Sequence, residues 1–452
     1  MDLEMNLDNT CDINANRRRV ALLRHSLPVV IFLLIVPQAG ITYLIFNDFM
    51  ALQILMASVL VVFSYYFFFA FSRNIFSDFQ VFPGNSWVVS PASIVGVFLA
   101  VVATLAVTAP EIALISALQG GGGDARFDAR VAFTKGRSGI ELLLVYAYAM
   151  LLKGALPIAL IMLFASGDKR RWLYVGLVLF ALLLSLEKFL TAMVLIPIGL
   201  YFWIINRRTL LLGFVLLGLG FLVFASVLSK AGEIVEGQAQ NALPPKQNAV
   251  FKSTGIGVGS GIVKADLLLL KNSKTQLVRT ALSDEDDYRF YLGSSGFNYF
   301  FNRAVWIPFV SAYDALVYWT EYHQGKLLLG ATSAPVALIF GLHYVNLEQQ
   351  VFMFQFGGED DSAGRANTAF FIDSLINFGW LGVVSSSAIC GVLFGWFSRC
   401  THPGFAAATV VTSYSLANNA LIPMFWSGGI LVLIFLALIW RSRPSRTTRD
   451  MV

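Results

Sequence analysis

Apolar stretches long enough to cross a bilayer alternate with short polar segments along most of this chain. A membrane helix needs about 20 apolar residues. By that measure the predicted spans are Ser26–Phe46, Met50–Phe71, Ala92–Ala109, Ile140–Ala165, Trp172–Leu186, Phe189–Ile205, Leu210–Leu228, Ala369–Phe397, Phe405–Leu421 and Ile422–Trp440. The pattern predicts an all-α polytopic membrane protein with about ten transmembrane helices.

One long interruption divides the predicted chain. We expect an amino-terminal cytoplasmic tail at 1–25, helices 1–7 within 26–228 with an outer loop at 110–139, a large outer loop at 229–368, helices 8–10 within 369–440 and a cytoplasmic tail at 441–452. Residues 327–345 are also long enough to span, but they contain Gly330, Pro335 and Gly341, which weaken a membrane helix. We therefore expect 305–318 and 327–345 to form a re-entrant or interfacial helix pair.

Composition and charge agree with a membrane protein. The chain is 57% hydrophobic and 13% charged, whereas soluble proteins carry about 25% charged residues. The net charge of +5 does not indicate nucleic-acid binding, because the basic residues gather at helix ends. Their clusters lie at 17–24, 73, 169–171, 207–208, 399 and 441–449. With ten spans all six fall on one side, which the positive-inside rule assigns to the cytoplasm.

The cysteines and the first residues exclude some further features. Cys11, Cys390 and Cys400 show no metal-ligand spacing, and none lies in the large loop, so we expect neither a disulfide nor a metal site. Residues 1–16 are polar and acidic, so we expect no cleavable signal peptide.

Aromatic and basic side chains crowd the second half of the large loop. Between residues 288 and 323 the aromatic side chains are interspersed with Arg289 and Arg303. Aromatic faces pack on sugar rings, and arginine binds phosphate through two parallel hydrogen bonds. The segment therefore fits a phosphorylated glycan, and an ordinary interfacial aromatic belt is the alternative.

Three residues of this loop are candidate general bases. His323, Glu321 and His343 each have a pKa that modest tuning would bring near neutral pH. For each histidine the alternative is a hydrogen-bonded structural role. Asp373, at the start of the eighth predicted span, is a functional candidate because ionisable groups at membrane depth are costly.

Further basic residues lie in the first half of the chain. The predicted turn Ser185–Lys188 presents Lys188 beside Glu187, either as a phosphate ligand or as a snorkelling pair. Arg126 and Arg130 follow four consecutive glycines in the outer loop, where positive charge indicates an anionic ligand or a solvated surface. Lys153 lies inside the fourth predicted span, where it faces the bundle interior or marks a break in the helix.

The layout of residues 20–440 resembles the Wzy-type oligosaccharide repeat-unit (O-antigen) polymerases and, more distantly, the O-antigen ligases, within the membrane glycosyltransferase C superfamily. The residues that carry the resemblance are Ser185–Lys188, Asn302–Pro308, Tyr322–Gly325 with Gly330, and Asn367–Phe370 with Phe378–Gly382. Members often carry Arg-x₁₀-Gly patterns in outer loops, and this chain has no clean copy.

The resemblance implies a block transfer at the periplasmic face of the bacterial inner membrane. The enzyme would polymerise repeat units linked to undecaprenyl pyrophosphate, without nucleotide or metal cofactor. The residues implied for pyrophosphate binding are Arg303, Arg365, Lys188, Arg289, Arg126 and Arg130. His323, Glu321 or His343 would activate the acceptor hydroxyl, and Asp373 and Asn367 would orient the arginines.

The implied partners are undecaprenyl-pyrophosphate-linked glycans, the lipid bilayer, and a chain-length regulator and flippase of the same pathway, with no nucleic acid. A ligase that transfers glycan to lipid A core would use the same chemistry. A flippase or transporter is the alternative of a different class, and it would be expected to show internal repeats and broken helices.

Overall fold

The computed structural model describes residues 18–75, 90–119, 129–133, 137–242, 305–356, 365–398 and 403–439 of the 452-residue chain. These residues form helices and connecting turns, and none of them lies in a β-strand. In chain order the helices are α1 (Ser26–Leu34), α2 (Val36–Phe46), α3 (Phe49–Ile75), α4 (Pro91–Thr108), α5 (Ala113–Leu118), α6 (Gly139–Met150), α7 (Leu156–Ala165), α8 (Arg171–Leu183), α9 (Lys188–Ile204), α10 (Arg208–Ala242), α11 (Ile307–Tyr322), α12 (Ala334–Phe340), α13 (Leu347–Phe356), α14 (Phe370–Phe397), α15 (Pro403–Leu416), α16 (Leu421–Trp426) and α17 (Ile430–Ile439).

Six stretches of the described chain are long and apolar enough to cross a membrane. They are Ser26–Phe46, Phe49–Ile75, Pro91–Thr108, Gly139–Ala165, Arg208–Ala225 and Phe370–Phe397. Shorter apolar helices lie at Arg171–Leu183, Leu190–Ile204 and Gly404–Leu416. The protein is therefore an all-α, multi-pass membrane protein, as the hydropathy pattern predicts.

Two predicted boundaries differ from the structure, at α10 and in the last predicted span. Helix α10 does not end near Leu228 but continues to Ala242, so the predicted start of the large loop lies inside a helix. The segment 327–345 contains the seven-residue helix α12, which ends at Gly341 in a left-handed conformation; it does not form one spanning helix, in agreement with the prediction. The last predicted span consists of α16 and α17, because Gly429, with a φ of +82°, interrupts it.

Helices α3 and α14 pack closely along their lengths. A Cβ atom at Gly391 would lie 2.6 Å from the carbonyl oxygen of Tyr65, and one at Gly395 would lie 2.8 Å from that of Phe69. Ser72 Oγ donates a hydrogen bond of 2.8 Å to the carbonyl of Val392. Small residues let membrane helices approach closely. This packing therefore fixes the position of α14, which carries the site described below.

The buried apolar side chains form two main clusters. One is built chiefly from α4 and α6–α10, together with residues of α15 and α17. The other joins α1–α3 to α11, α13, α14 and α16. Phe309, Leu316 and Val351, which belong to the predicted large loop, are buried in the second cluster. This part of the loop is therefore packed onto the helix bundle.

Candidate functional site

Helix α14 is interrupted one third of the way along. Gly379 has a φ of 64° and a ψ of −156°, which breaks the helical hydrogen-bond pattern. The carbonyl groups of Ile376 and Asn377 accept hydrogen bonds from the backbone N–H groups of Leu328 (3.2 Å) and Leu329 (2.9 Å). The segment 327–333 is thereby attached to the break.

A polar cluster lies beside this break. Asp373 and Asn377 are one turn apart on the same face of α14, and both are buried. Asn377 Nδ2 donates to Thr332 Oγ1 (2.7 Å) and Asp373 Oδ1 (3.2 Å), and Thr332 Oγ1 donates to the same carboxylate oxygen (2.9 Å). Asn377 Oδ1 accepts from the N–H of Gly330 (2.9 Å). We call these three side chains the Thr332–Asp373–Asn377 cluster.

A second carboxyl group acts on this cluster, and a guanidinium acts on that carboxyl group. The carbonyl of Glu348, in the first turn of α13, accepts a hydrogen bond of 2.8 Å from the N–H of Ala366. The Glu348 side chain is close enough to act electrostatically on Asp373. Burial raises the pKa of Glu348 above 4.5, and the positive charge of Arg365 opposes that rise. Glu348 is half-buried and Arg365 is exposed, so the pair lies at the edge of the site.

Two tyrosines extend this region toward α6. Burial raises the pKa of Tyr344, Arg365 opposes the rise, and Glu348 and Tyr146 reinforce it. Tyr146 belongs to α6 and Tyr344 to the segment between α12 and α13, and both are substantially exposed. The site edge therefore faces a helix from the other half of the chain.

The predicted bases occupy two kinds of environment. His323 follows α11, packs against Tyr318 and has its pKa lowered by burial, an effect that the nearby Gln350 side chain opposes. Gln350 and Glu348 are two residues apart on α13, so their side chains leave that helix on different faces. The contact of His323 with α13 therefore lies on a different face of that helix from Glu348, and it does not place His323 in the Thr332–Asp373–Asn377 cluster. Glu321 and His343 are exposed.

The aromatic side chains near His323 pack on one another. The rings of Tyr318 and Tyr322 stack with centroids 4.4 Å apart. Both meet Phe354 of α13 edge-on, at 5.8 Å and 6.2 Å. These ring faces contribute to the contact between α11 and α13, so Tyr318 and Tyr322 of the segment predicted for sugar binding are used in packing.

The predicted cations are distributed over several parts of the chain. Arg365 lies at the site, and Asn367 is exposed two residues later in the same extended segment. Arg130 follows Ala129, which packs against Leu186 in the turn between α8 and α9. Lys188 is the first residue of α9. Arg303, Arg289 and Arg126 lie outside the described residues, so their predicted roles stay predictions.

Glu348 was not among the sequence candidates. It lies eighteen positions after Gly330 and twenty-five before Asp373 in a segment without a recognisable motif. Its approach to Asp373 depends on the path of residues 341–369. A burial pattern could not have identified it, because Glu348 lies in the first turn of a short helix that carries both polar and apolar residues.

The arrangement combines a group that can bind an anionic phosphate with a group that can exchange a proton with a hydroxyl. A guanidinium stabilises anionic phosphate oxygens, and a carboxyl group with a raised pKa can exchange a proton with a hydroxyl. The hydrogen-bonded cluster beside Glu348 has a defined geometry. No family model matches this chain, and neither a curated protein nor a solved structure matches it.

Proposed function

We propose that this protein is a glycosyltransferase of the bacterial inner membrane that polymerises undecaprenyl-pyrophosphate-linked oligosaccharide repeat units at the periplasmic face. The observation that supports this proposal best is the electrostatic contact of Glu348 with Asp373 of the Thr332–Asp373–Asn377 cluster, beside the break in a membrane-spanning helix, together with that of Arg365 with Glu348. A polar reaction site at membrane depth suits substrates whose lipid chains stay in the bilayer. The proposed topology has ten transmembrane helices and a large periplasmic loop, as the basic clusters indicate.

The proposed reaction assigns one role to each charged group. Arg365 binds the pyrophosphate of the donor and stabilises its charge as the bond from the sugar anomeric carbon to the phosphate oxygen breaks. The acceptor hydroxyl forms the new glycosidic bond and transfers its proton to the Glu348 carboxylate. Undecaprenyl pyrophosphate leaves with the bonding electron pair. Asp373 acts as a positioning residue. His323, Glu321 and His343 are the alternative bases.

A complementation experiment tests this proposal. In a strain that lacks the gene, we expect single repeat units capped on the lipopolysaccharide core, and the wild-type gene should restore long chains. Arg365→Ala should leave single repeat units although the protein is inserted at wild-type amounts, and Arg303→Ala is expected to do the same. Lys169→Ala, which removes an exposed cation elsewhere, is the matched control and should restore long chains. Normal chain length with Arg365→Ala would reject the proposed site.

Two other functions predict different products. A ligase would be indicated if deletion left polymer on the undecaprenyl carrier without attachment to the core. A transporter deserves a separate test because α14 is a broken helix with buried Asp373 and Asn377, an arrangement that secondary transporters use for binding. Accumulation of lipid-linked intermediates on the cytoplasmic side after deletion would support transport.

A further inference from the structure

The turn between α8 and α9 lies within the helix bundle and does not reach its outer end. Helix α8 has 13 residues and α9 has 17, which correspond to lengths of about 20 Å and 25 Å. Both are shorter than the hydrocarbon core of about 30 Å. They pack beside the 27-residue stretch Gly139–Ala165. Since α8 runs back along α7, its end lies about level with residues 152–153.

Helix α5 covers this turn. The N–H of Leu114 donates a hydrogen bond of 3.3 Å to the carbonyl of Leu184. Ala113 and Ala117 of α5 pack with Leu186, and Ala129 joins the same buried cluster. The turn is therefore buried beneath α5, and we call the turn with these surrounding residues the hairpin recess.

Lys153 lies at the level of the hairpin recess. It occupies a π-helical turn, Leu151–Ala155, within a membrane-spanning stretch, and π-turns are frequent at functional sites. A Cβ atom at Gly154 would lie 2.8 Å from the carbonyl oxygen of Gly429, so this turn is held against the start of α17. Within the described chain Lys153 forms no hydrogen bond or ion pair, although the charge of Glu187 acts on it. A cation at this depth calls for a nearby anion.

The first turn of α9 supplies hydrogen-bond donors at the same place. Its N-cap residue, Glu187, makes no side-chain capping bond, and the turn contains no acidic residue. The first N–H groups of a helix lack intrahelical partners and carry the positive end of its dipole. Thr191, in this turn, is 1% exposed, and its hydroxyl has no hydrogen-bond partner. A buried hydroxyl without a partner is costly, which points to a ligand group at this position.

We propose that the hairpin recess binds a phosphate group of a lipid, with Lys153 as the cation and the Thr191 hydroxyl and the α9 N-terminus as hydrogen-bond donors. Phosphate groups suit helix N-termini because they combine negative charge with several acceptor oxygens. Arg130, which follows Ala129 of the same buried cluster, adds positive charge beside the turn. The inference rests on the proposed function in one respect, since a polymerase holds two lipid-linked pyrophosphates and needs a phosphate site in addition to Arg365.

Binding of undecaprenyl pyrophosphate to the purified full-length protein in phosphatidylcholine nanodiscs tests the site. The Arg365→Ala background removes the other proposed phosphate site. In that background Lys153→Met should weaken binding about tenfold or more, since a charge-assisted hydrogen bond is lost. Thr191→Val should weaken binding several-fold, and Lys153→Arg should retain most of the affinity. The matched control Lys169→Met removes an exposed lysine outside the recess and should leave affinity unchanged.

Each outcome decides the inference. Unchanged affinity with both Lys153→Met and Thr191→Val overturns it. If phosphatidylglycerol competes with the probe as strongly as undecaprenyl pyrophosphate does, and Lys153→Met abolishes both, the site is supported and its ligand is a bulk lipid phosphate. If Lys153→Met does not give a monodisperse protein, Thr191→Val alone decides. Because binding is the readout, a failure here is distinct from normal chain elongation by Arg365→Ala, which would reject the proposed function.

Discussion

The backbone N–H of Gly330 donates a hydrogen bond of 2.9 Å to Oδ1 of Asn377. This bond joins the segment 327–333 to α14 just before the helix breaks at Gly379. Gly330 has a φ of +94°, and a Cβ atom there would lie 2.5 Å from Val336 Cγ1. A larger residue could therefore not hold the N–H in this position without rearrangement, so the polar cluster depends on backbone geometry on both sides of the contact.

Removal of the Asn377 side chain should destabilise the protein. Asn377→Ala leaves the buried N–H of Gly330 without its acceptor and takes two donors from the cluster. We expect the free energy of unfolding to fall by about 1–3 kcal/mol. Thermal unfolding in detergent measures the effect. The control Asn419→Ala removes one hydrogen bond from the turn after α15 to the carbonyl of Ser415 in that helix, and it should cost less. Equal melting temperatures for the two variants would contradict the role of the cluster.

Gly379→Ala should be destabilising through the backbone alone. A Cβ atom at this position would meet only Leu327, at an ordinary contact distance of 3.7 Å. The combination of φ 64° and ψ −156° is accessible mainly to glycine and costs other residues about 1–3 kcal/mol. The matched control is Gly220→Ala, at a helical position with open space around it, which should be neutral or slightly stabilising. A melting temperature of Gly379→Ala equal to that of the wild type would show that the break does not require glycine.

The stability of the protein should depend on the titration of Glu348. Its pKa is raised above 4.5 by burial, so the folded protein holds this proton more tightly than the unfolded chain. The free energy of unfolding should therefore fall as the pH rises from 4.5 through the folded pKa. Glu348→Gln should lack this decline, and Arg365→Ala should move it to higher pH because the opposing charge is removed. Melting temperatures across the acidic and neutral range measure both effects, and parallel curves for wild type and Glu348→Gln would refute them.

The titration of His323 should give the opposite dependence of stability on pH. Burial lowers its pKa below 6.5, so the unfolded chain takes up the proton first as the solution is acidified. The stabilising contribution is complete above pH 6.5 and is lost as the pH falls through the folded pKa. His323→Gln should remove this part of the acid destabilisation. Melting temperatures of the variant and the wild type at acidic pH provide the comparison. If the difference between the two melting temperatures does not change with pH, the histidine is not held neutral by burial.

The proposed sidedness can be measured with single cysteines. In a chain with Cys11, Cys390 and Cys400 replaced by serine, a membrane-impermeant maleimide should label His343→Cys in intact spheroplasts. Lys169→Cys should react only after the membrane is opened, because the positive-inside rule assigns its basic cluster to the cytoplasm. Both positions are exposed, so accessibility within the fold does not limit labelling. The reverse result would place the site on the wrong side for periplasmic lipid-linked glycans.

The local hydropathy of the chain predicted most membrane helices to within a few residues. The predicted span Met50–Phe71 lies within the helix Phe49–Ile75, and Ala369–Phe397 differs from Phe370–Phe397 by one residue. Such agreement is expected because the bilayer requires each crossing segment to be apolar and to satisfy its own backbone hydrogen bonds. The interruptions were harder to predict. Gly379 was part of a recognised motif, but nothing local distinguishes it from the helical Gly382.

The sequence by itself determined the all-α, multi-pass character of this protein, since that property follows from apolar segment length and composition. It also drew attention to Arg365 and Asp373, because charged groups next to an apolar run are unusual. Only the tertiary structure brought Glu348 to those residues and placed Lys153 at the level of the α8–α9 turn. These approaches depend on loop paths and on the relative lengths of packed helices, which arise from contacts between residues distant in the chain.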